Sequence, residues 1–291
     1  AENNPNGGYL ASFDEGGFTW QYGGGSSNEW WNESGKNYIA WCWKAGGTAV
    51  TNTVGNISAQ VSANDEAGFS IITYTGDGNS SGNVGTGLRS SQPLDMAIVK
   101  RRDSTSDWQV GHRASGQSNN FAYHTNLNDT SQLSGSGPYH MGTQSATNGD
   151  RLYLASGGLT SSATYVAYVW QERPGYSKFG IYKADARTDG PYVHTGFRPA
   201  FIWLLRTSGE NGVIFDVKRE PLNYLGLNGR LYASVNNQES STVLDGDIHA
   251  HGFKLRNTTG EINSGTNEYI FMAFADQPSG LPYDTLSNIY P

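Results

Sequence analysis

One phrase of this sequence is written three times, and a chain that repeats itself is built as an array of similar pieces. Gly35-Lys-Asn-Tyr38-Ile-Ala-Trp41-Cys-Trp43 returns as Ser162-Ala-Thr-Tyr165-Val-Ala-Tyr168-Val-Trp170. It returns again as Gly265-Thr-Asn-Glu-Tyr269-Ile-Phe-Met272-Ala-Phe274. A second phrase occurs twice: Gly68-Phe69-Ser-Ile-Ile-Thr-Tyr74 with Pro93 and Val99-Lys100-Arg101, then Lys178-Phe179-Gly-Ile-Tyr182 with Pro199 and Leu205-Arg206. The repeat unit is therefore roughly one hundred residues, the size of a small domain. On these phrases the chain divides into the closing half of a module over 1–47, a linker over 48–66, modules over 67–175 and 176–275, and a tail over 276–291. The first segment carries Asp14-Glu-Gly-Gly17-Phe18-Thr where the last module has Asp247-Ile-His-Ala-His-Gly252-Phe253-Lys, so it reads as the remainder of a module from a longer polypeptide. An incomplete sandwich leaves strand edges that call for cover, by the tail, a neighbouring module or a second chain.

Strand-like runs bounded by Gly, Asn, Asp and Ser recur every dozen residues or so, and no stretch holds a helical period for three turns. With 38 Gly, 12% aromatics and only 15% charged residues, the composition is that of an all-β protein. The expected fold class is tandem antiparallel β-sandwich modules of jelly-roll or lectin type. A net charge of −7 argues against a nucleic-acid partner, which asks for a basic stripe. No apolar run is long enough for a transmembrane helix, and membrane insertion is not expected. The single cysteine, Cys42, lies in an apolar strand phrase and is expected to be a buried, inert thiol.

The closing phrase alternates with period two. Ile39, Trp41 and Trp43 share one face, repeated by Val166, Tyr168 and Trp170 and by Ile270, Met272 and Phe274. Ala40 and Cys42, Ala167 and Val169, Phe271 and Ala273 hold the other. A strand apolar on both faces is a central strand covered on both sides. The bulky face is expected in the sandwich core and the smaller face against a neighbouring module. The opening strand (from Phe69 or Phe179) and the closing strand are expected to be neighbours. Pro93 and Pro199 lead runs that turn at Asp103–Asp107 and Ser208–Gly212 into a further strand, which is hairpin logic.

The phrases at 38–47, 68–76 and 98–102, with Gly190-Pro-Tyr-Val-His-Thr-Gly-Phe-Arg-Pro199 and Gly252-Phe-Lys-Leu-Arg-Asn257, resemble an uncharacterised repeat domain of tail-fibre and other virion proteins from marine tailed bacteriophages. The resemblance covers nearly the whole chain. It implies a concanavalin-like β-sandwich and a place on the virion, at the host-recognising end. It assigns no catalytic residues.

Candidate sites follow from residue chemistry. Trp30 and Trp31, beside Asn28, Glu29 and Asn32, sit in a glycine-rich loop with no apolar period. Exposed indoles next to fixed acceptors are how proteins hold sugar rings. Asp245, Asp247, His249 and His251 recur at every second position, as ligands on one strand face would, although Ser12, Asp14 and Gly16 stand there in the first copy. Carboxylates available for glycoside hydrolysis are Asp107, Glu172, Asp216, Glu220 and Glu261; Asp216 with Arg219 equally suits a structural ion pair. Tyr139-His140 is the candidate for a lyase base, and Lys100-Arg101-Arg102 reads as a hairpin end or an inter-subunit clasp. No cofactor is called for.

Three readings of function stay open. The first is a virion adhesin that binds host cell-surface polysaccharide, assembling as a homo-oligomer (a trimer is favoured) or with other virion proteins. The second is a phage-tail polysaccharide depolymerase, and the third is a structural spacer. A shallow aromatic shelf favours binding, whereas convergent carboxylates in a deep groove favour catalysis. If the loop indoles hold sugar, each contributes roughly 1 kcal/mol by analogy with other aromatic contacts. The double variant Trp30→Ala, Trp31→Ala is then expected to lose several-fold to tens-fold in glycan affinity in a binding titration while its melting temperature stays unchanged.

Overall fold

The computed structural model describes residues 8–14, 16–21, 34–115, 121, 123–134, 140–141, 148–219, 229–240 and 244–275. They divide into two compact units, the described residues up to Lys44 and those from Ala45 onward. The chain is all-β, with antiparallel strand pairing throughout its sheets and no α-helix among the described residues.

Among its described residues the first unit holds one hairpin, β1 (Tyr9–Asp14) and β2 (Gly17–Gln21). Asp14 stands opposite Gly17 and Phe13 opposite Phe18. Hydrogen bonds from Ser12 (2.8 Å) and Thr19 (2.6 Å) to the Asp14 carboxylate pin the turn. The first copy of the closing phrase, Tyr38–Trp43, forms no strand, and Cys42 is exposed. The expectation of a buried thiol fails because the phrase has no ladder of partner strands here to give it a buried face.

In the second unit, residues 50–170 contribute β3 (Val50–Asn52), β4 (Ala59–Asn64), β5 (Phe69–Thr75), β6 (Ser81–Gly85), β7 (Met96–Arg101), β8 (Gln109–His112), β9 (His124–Asn126), β10 (Arg151–Ala155) and β11 (Thr164–Trp170). Seven of them form a sheet in the order β3-β4-β5-β11-β7-β8-β9, while β6 pairs with β10. Residues 177–275 contribute β12 (Ser177–Lys183), β13 (Tyr192–His194), β14 (Pro199–Arg206), β15 (Val213–Asp216), β16 (Leu231–Tyr232), β17 (Gly246–His249), β18 (Gly252–Leu255) and β19 (Glu268–Ala275). Their sheets run β12-β19-β14-β15-β16 and β13-β18-β17. The order β5-β11-β7-β8-β9 in one half thus matches β12-β19-β14-β15-β16 in the other. Opening and closing strands are neighbours in both, Phe69 opposite Trp170 and Ser177 opposite Phe274.

Residues 48–66, expected as a linker, instead supply β3 and β4. Ile57, Ala59 and Val61 alternate with polar residues and enter the first core. Their side chains are small, which hid a period-two strand inside a Ser/Asn/Thr-rich stretch.

Each half packs a large sheet on a small one over its own core. Ile72, Val99 and Val169 meet Val84, Leu152 and Leu154 in the first. Ile202, Leu204 and Phe271 meet Val193, Phe253 and Leu255 in the second. The faces of the closing strands are the reverse of the expectation. Tyr165, Ala167 and Val169 point into the first core, and Tyr269, Phe271 and Ala273 into the second. Tyrosine at the head of each strand supplies the bulk, and the smaller residues beyond it leave room for the opposing sheet. The bulky face, Trp170 in β11 and Ile270, Met272 and Phe274 in β19, is buried outside either core. It lies on the outer faces of the two large sheets, between which His112 in β8 reaches the Phe271 carbonyl oxygen (3.1 Å) and the Phe179 ring (6.3 Å between centroids).

The paired tyrosines repeat as a unit. Tyr74 and Tyr165 stack across β5 and β11 with ring centroids 5.2 Å apart; Tyr182 and Tyr269 do so across β12 and β19 at 5.1 Å. Tyr269 Oη donates to the Gly260 carbonyl (2.7 Å) and accepts from the Ser264 N–H (3.1 Å). The Tyr74 hydroxyl is buried without a hydrogen-bond partner. Removing a hydroxyl that satisfies buried groups costs about 1–3 kcal/mol, whereas removing an unsatisfied one costs nothing. Tyr269→Phe is therefore expected to lower the unfolding free energy by that amount in urea titrations, and Tyr74→Phe to leave it unchanged or raise it.

Candidate functional site

Period-two alternation decides what the small sheet of the second half shows to solvent. Val193 of β13, Ile248 of β17 and Phe253 and Leu255 of β18 point into the core. Tyr192, His194, Asp247, His249, Gly252 and Lys254 therefore point outward. The register sets them in two ranks across the three strands: Tyr192, Lys254 and Asp247, then His194, Gly252 and His249.

Gly252 is the key to the arrangement. A side chain there would meet the Val193 carbonyl oxygen at 2.1 Å and the Tyr192 hydroxyl at 3.0 Å. Tyr192 instead leans over the bare backbone of the central strand and meets the His249 ring edge-on, 5.7 Å between centroids. Alongside, His194 and His251 lie 6.5 Å apart with their rings tilted by 31°. Tyr192 is 46% exposed, and the three histidines are exposed as well. The result is an exposed shelf of one tyrosine and three imidazoles.

The charges beside it are spent on one another. Lys254 Nζ reaches the Gly190 carbonyl (2.9 Å) and Asp189 (3.1 Å), and Arg256 pairs with Asp247 (2.6 Å) and Asp189. The lysine hydrogen bond and charge hold the Asp189 carboxyl below the usual carboxylate range. In the first half the corresponding strand β6 is met by the segment before β4: the Asn52 side chain occupies the space beside Gly85, and Asn56 and Asn83 exchange backbone-to-amide hydrogen bonds of 3.2 and 2.6 Å. The shelf belongs to the second half.

The four residues proposed as metal ligands do not converge. Asp245 is buried and takes a bidentate ion pair from Arg230 with a further bond from Asn257 Nδ2 (2.9 Å). Asp247 is held by Arg256, His249 lies against Tyr192, and His251 lies against His194. Among the described residues no three His, Cys, Asp or Glu side chains are placed to hold a metal ion. Alternation sets Asp247 and His249 on one face of β17, but Asp245 precedes the strand and turns to the buried arginine.

Of the five carboxylates considered for hydrolysis, the four among the described residues are each tied to a structural partner. Asp107 accepts from Asn128 (3.0 Å), Glu172 from Lys178 (2.7 Å), and Asp216 from Arg219 (2.7 Å); Glu261 pairs with Arg230 at 3.3 Å. Lys100, expected at a hairpin end, is buried and donates to the Ser106 carbonyl (2.6 Å), while Arg101 pairs with Asp103. Trp30, Trp31, Asn28, Glu29 and Asn32 lie outside the described residues, as do Glu220, Tyr139 and the tail over 276–291.

Position by position, the two halves part company at one buried polar centre. Arg230 bridges to Ser240 as His124 bridges to Ser134, and the Asp245 carbonyl accepts from Arg256 as the His140 carbonyl accepts from Ala155. The buried Arg230–Asp245 ion pair of the second half is thus replaced in the first by two buried imidazoles. Burial pushes His124 and His140 down to about 4, and for His124 the neighbouring His140 adds to the effect. His112 is also driven to about 4 by burial, against the opposing pull of its bond to the Phe271 carbonyl. It accepts the Ala114 N–H at Nδ1 (3.2 Å) and so keeps its own proton on Nε2.

The chain belongs to the family described as a domain of unknown function (DUF7483), whose model matches residues 1–278. Comparison with curated proteins and with solved structures finds no match.

All three buried histidines are neutral in the fold and take up a proton on unfolding below the ordinary imidazole value of 6.5. Their contribution to stability is complete above pH 6.5 and is lost as pH falls towards 4. The gap corresponds to roughly 3 kcal/mol per histidine. Unfolding free energies at pH 7 and pH 4.5 are expected to differ by several kcal/mol, and imidazole resonances in the folded protein to titrate near 4.

Proposed function

We propose that this member of the family is a glycan-binding segment of a phage virion, of the tail-fibre adhesin kind, whose two halves are tandem sandwich copies. One observation carries the binding reading: the solvent face of the β13-β18-β17 sheet presents Tyr192 with His194, His249 and His251 as an uncovered aromatic shelf. Sugar rings pack their C–H faces on such rings, and a flat sheet face admits a polymer without requiring a chain end. The resemblance to repeat domains of marine phage tail fibres supports the virion setting and a host cell-surface polysaccharide as partner. A homo-oligomer, a trimer being favoured, would multiply weak shelves into useful avidity. Asp107, Glu172, Asp216 and Glu261 all serve structural pairs, which favours binding over a depolymerase.

The test is a panel of marine bacterial and algal polysaccharides scored both for retention of the protein and for release of reducing or unsaturated ends. Retention without release is expected. Tyr192→Ala should weaken retention several-fold, in line with about 1 kcal/mol for one ring contact, with the melting temperature held. Retention indifferent to Tyr192→Ala would remove the shelf from the account, and release of ends would make the chain an enzyme.

A further inference from the structure

An open cleft of about 410 Å³ lies where the two halves of the second unit meet, within the about 300–1,000 Å³ range of small-molecule sites. Thr130 and Gln132, beyond β9, form one wall; Ser208, Gly209, Glu210 and Asn211, in the turn between β14 and β15, form the other. The walls are held together by backbone. Leu133 N donates to the Thr207 carbonyl (2.9 Å), and Thr207 N donates to the Glu268 carbonyl (2.9 Å). Gly209 has φ +85, and a side chain on it would press on the Thr130 carbonyl at 3.0 Å. Ser208 Oγ is bonded to Asn267 (3.1 Å), and Glu210 is tied to Arg206 (3.5 Å).

Within this frame the Thr130 hydroxyl and the Gln132 and Asn211 carboxamides make no hydrogen bond to another described side chain. A carboxamide sets a donor beside an acceptor, which matches two adjacent hydroxyls of a sugar. The Glu210 carboxylate, paired with Arg206 and accepting the Asn211 N–H, keeps lone pairs that suit hydroxyl donors. No aromatic ring lines the cleft, so recognition there works through hydrogen bonds.

We infer that this cleft is a second saccharide subsite, which takes one neutral sugar residue through Gln132, Asn211 and Glu210. Its ligand class rests on the glycan reading above, but its location and residues do not overlap the Tyr192 shelf.

The full chain is titrated with methyl β-galactoside, methyl α-mannoside and maltose, each to about 50 mM, while backbone amide resonances are followed. At least one sugar is expected to bind saturably, with a dissociation constant on the order of 1 mM and shifts centred on Gly209 and Gln132. Gln132 is exposed and Asn211 only half-buried, so Gln132→Ala with Asn211→Ala should leave melting unchanged and weaken this binding at least about tenfold, whereas Tyr192→Ala should change it less than about twofold. Failure of all three sugars to bind saturably, or binding that survives the double variant, overturns the inference. Sugar binding at the cleft combined with polysaccharide retention indifferent to Tyr192→Ala would keep the cleft and discard the shelf; the reverse pattern would do the opposite.

Discussion

Two strands with apolar side chains on both faces, β11 and β19, organise the second unit. Each must therefore lie inside a sheet and beneath cover on both surfaces. The strand orders meet the first demand, with β11 between β5 and β7 and β19 between β12 and β14. A small sheet in each half covers the inward face. The outward face puts Trp170 in one half and Met272 and Phe274 in the other out of solvent. Side chains of this size contribute about 1.5–3 kcal/mol each when fully buried. The surfaces left over for recognition are the far sides of the small sheets and the seams between loops.

The two halves keep the same frame and differ in what they build on it. Stacked tyrosine pairs recur at equivalent register, and each closing-strand tyrosine ties down the loop ahead of it, Tyr165 through Gly157 O (2.9 Å) and Tyr269 through Gly260 O (2.7 Å). The polar centre nearby is free to change. One half fills it with Arg230, Asp245, Asn257 and Glu261, a fully paired set of charges; the other fills it with His124 and His140, which burial keeps neutral. Either choice avoids an uncompensated buried charge, the arrangement that is most costly. The shared strand order thus tolerates different polar residues at this centre, provided that each set is either paired or neutral.

Much of the fold was legible because period and punctuation are local signals. The second and third closing phrases, the Pro-led strands and their hairpin turns lie where alternation puts them, whereas the first closing phrase forms no strand. What sequence did not disclose was which of two apolar faces is the inner one: Ala167 and Val169 look like a surface for a neighbour until Tyr165 is counted on the same side. Residues 48–66 were missed since Ala59 and Val61 are too small to stand out among Ser, Gln and Asn. The shelf was half visible. His249 and His251 were singled out, yet their chemistry was read along one strand. The pairing that completes the site joins residues 192–194 to residues 252–254, and no local pattern reveals a contact of that span.

Gly252 explains why an aromatic shelf can exist on that face at all. Neighbouring strands stand about 4.8 Å apart, so outward side chains on three adjacent strands normally crowd into a ridge. A bare central position lowers the middle of the rank between His194 and His249 and lets the tyrosine of the next rank lie across it. The ring is then supported from below by backbone and at its edge by an imidazole. Those two contacts restrict the ring, which lowers the side-chain entropy that the proposed sugar contact would cost. The adjoining Lys254, Arg256, Asp189 and Asp247 neutralise one another, so the face beside the rings presents a balanced set of charges. Exposed rings beside balanced charge are the features on which the proposed contact with the apolar face of a neutral sugar rests.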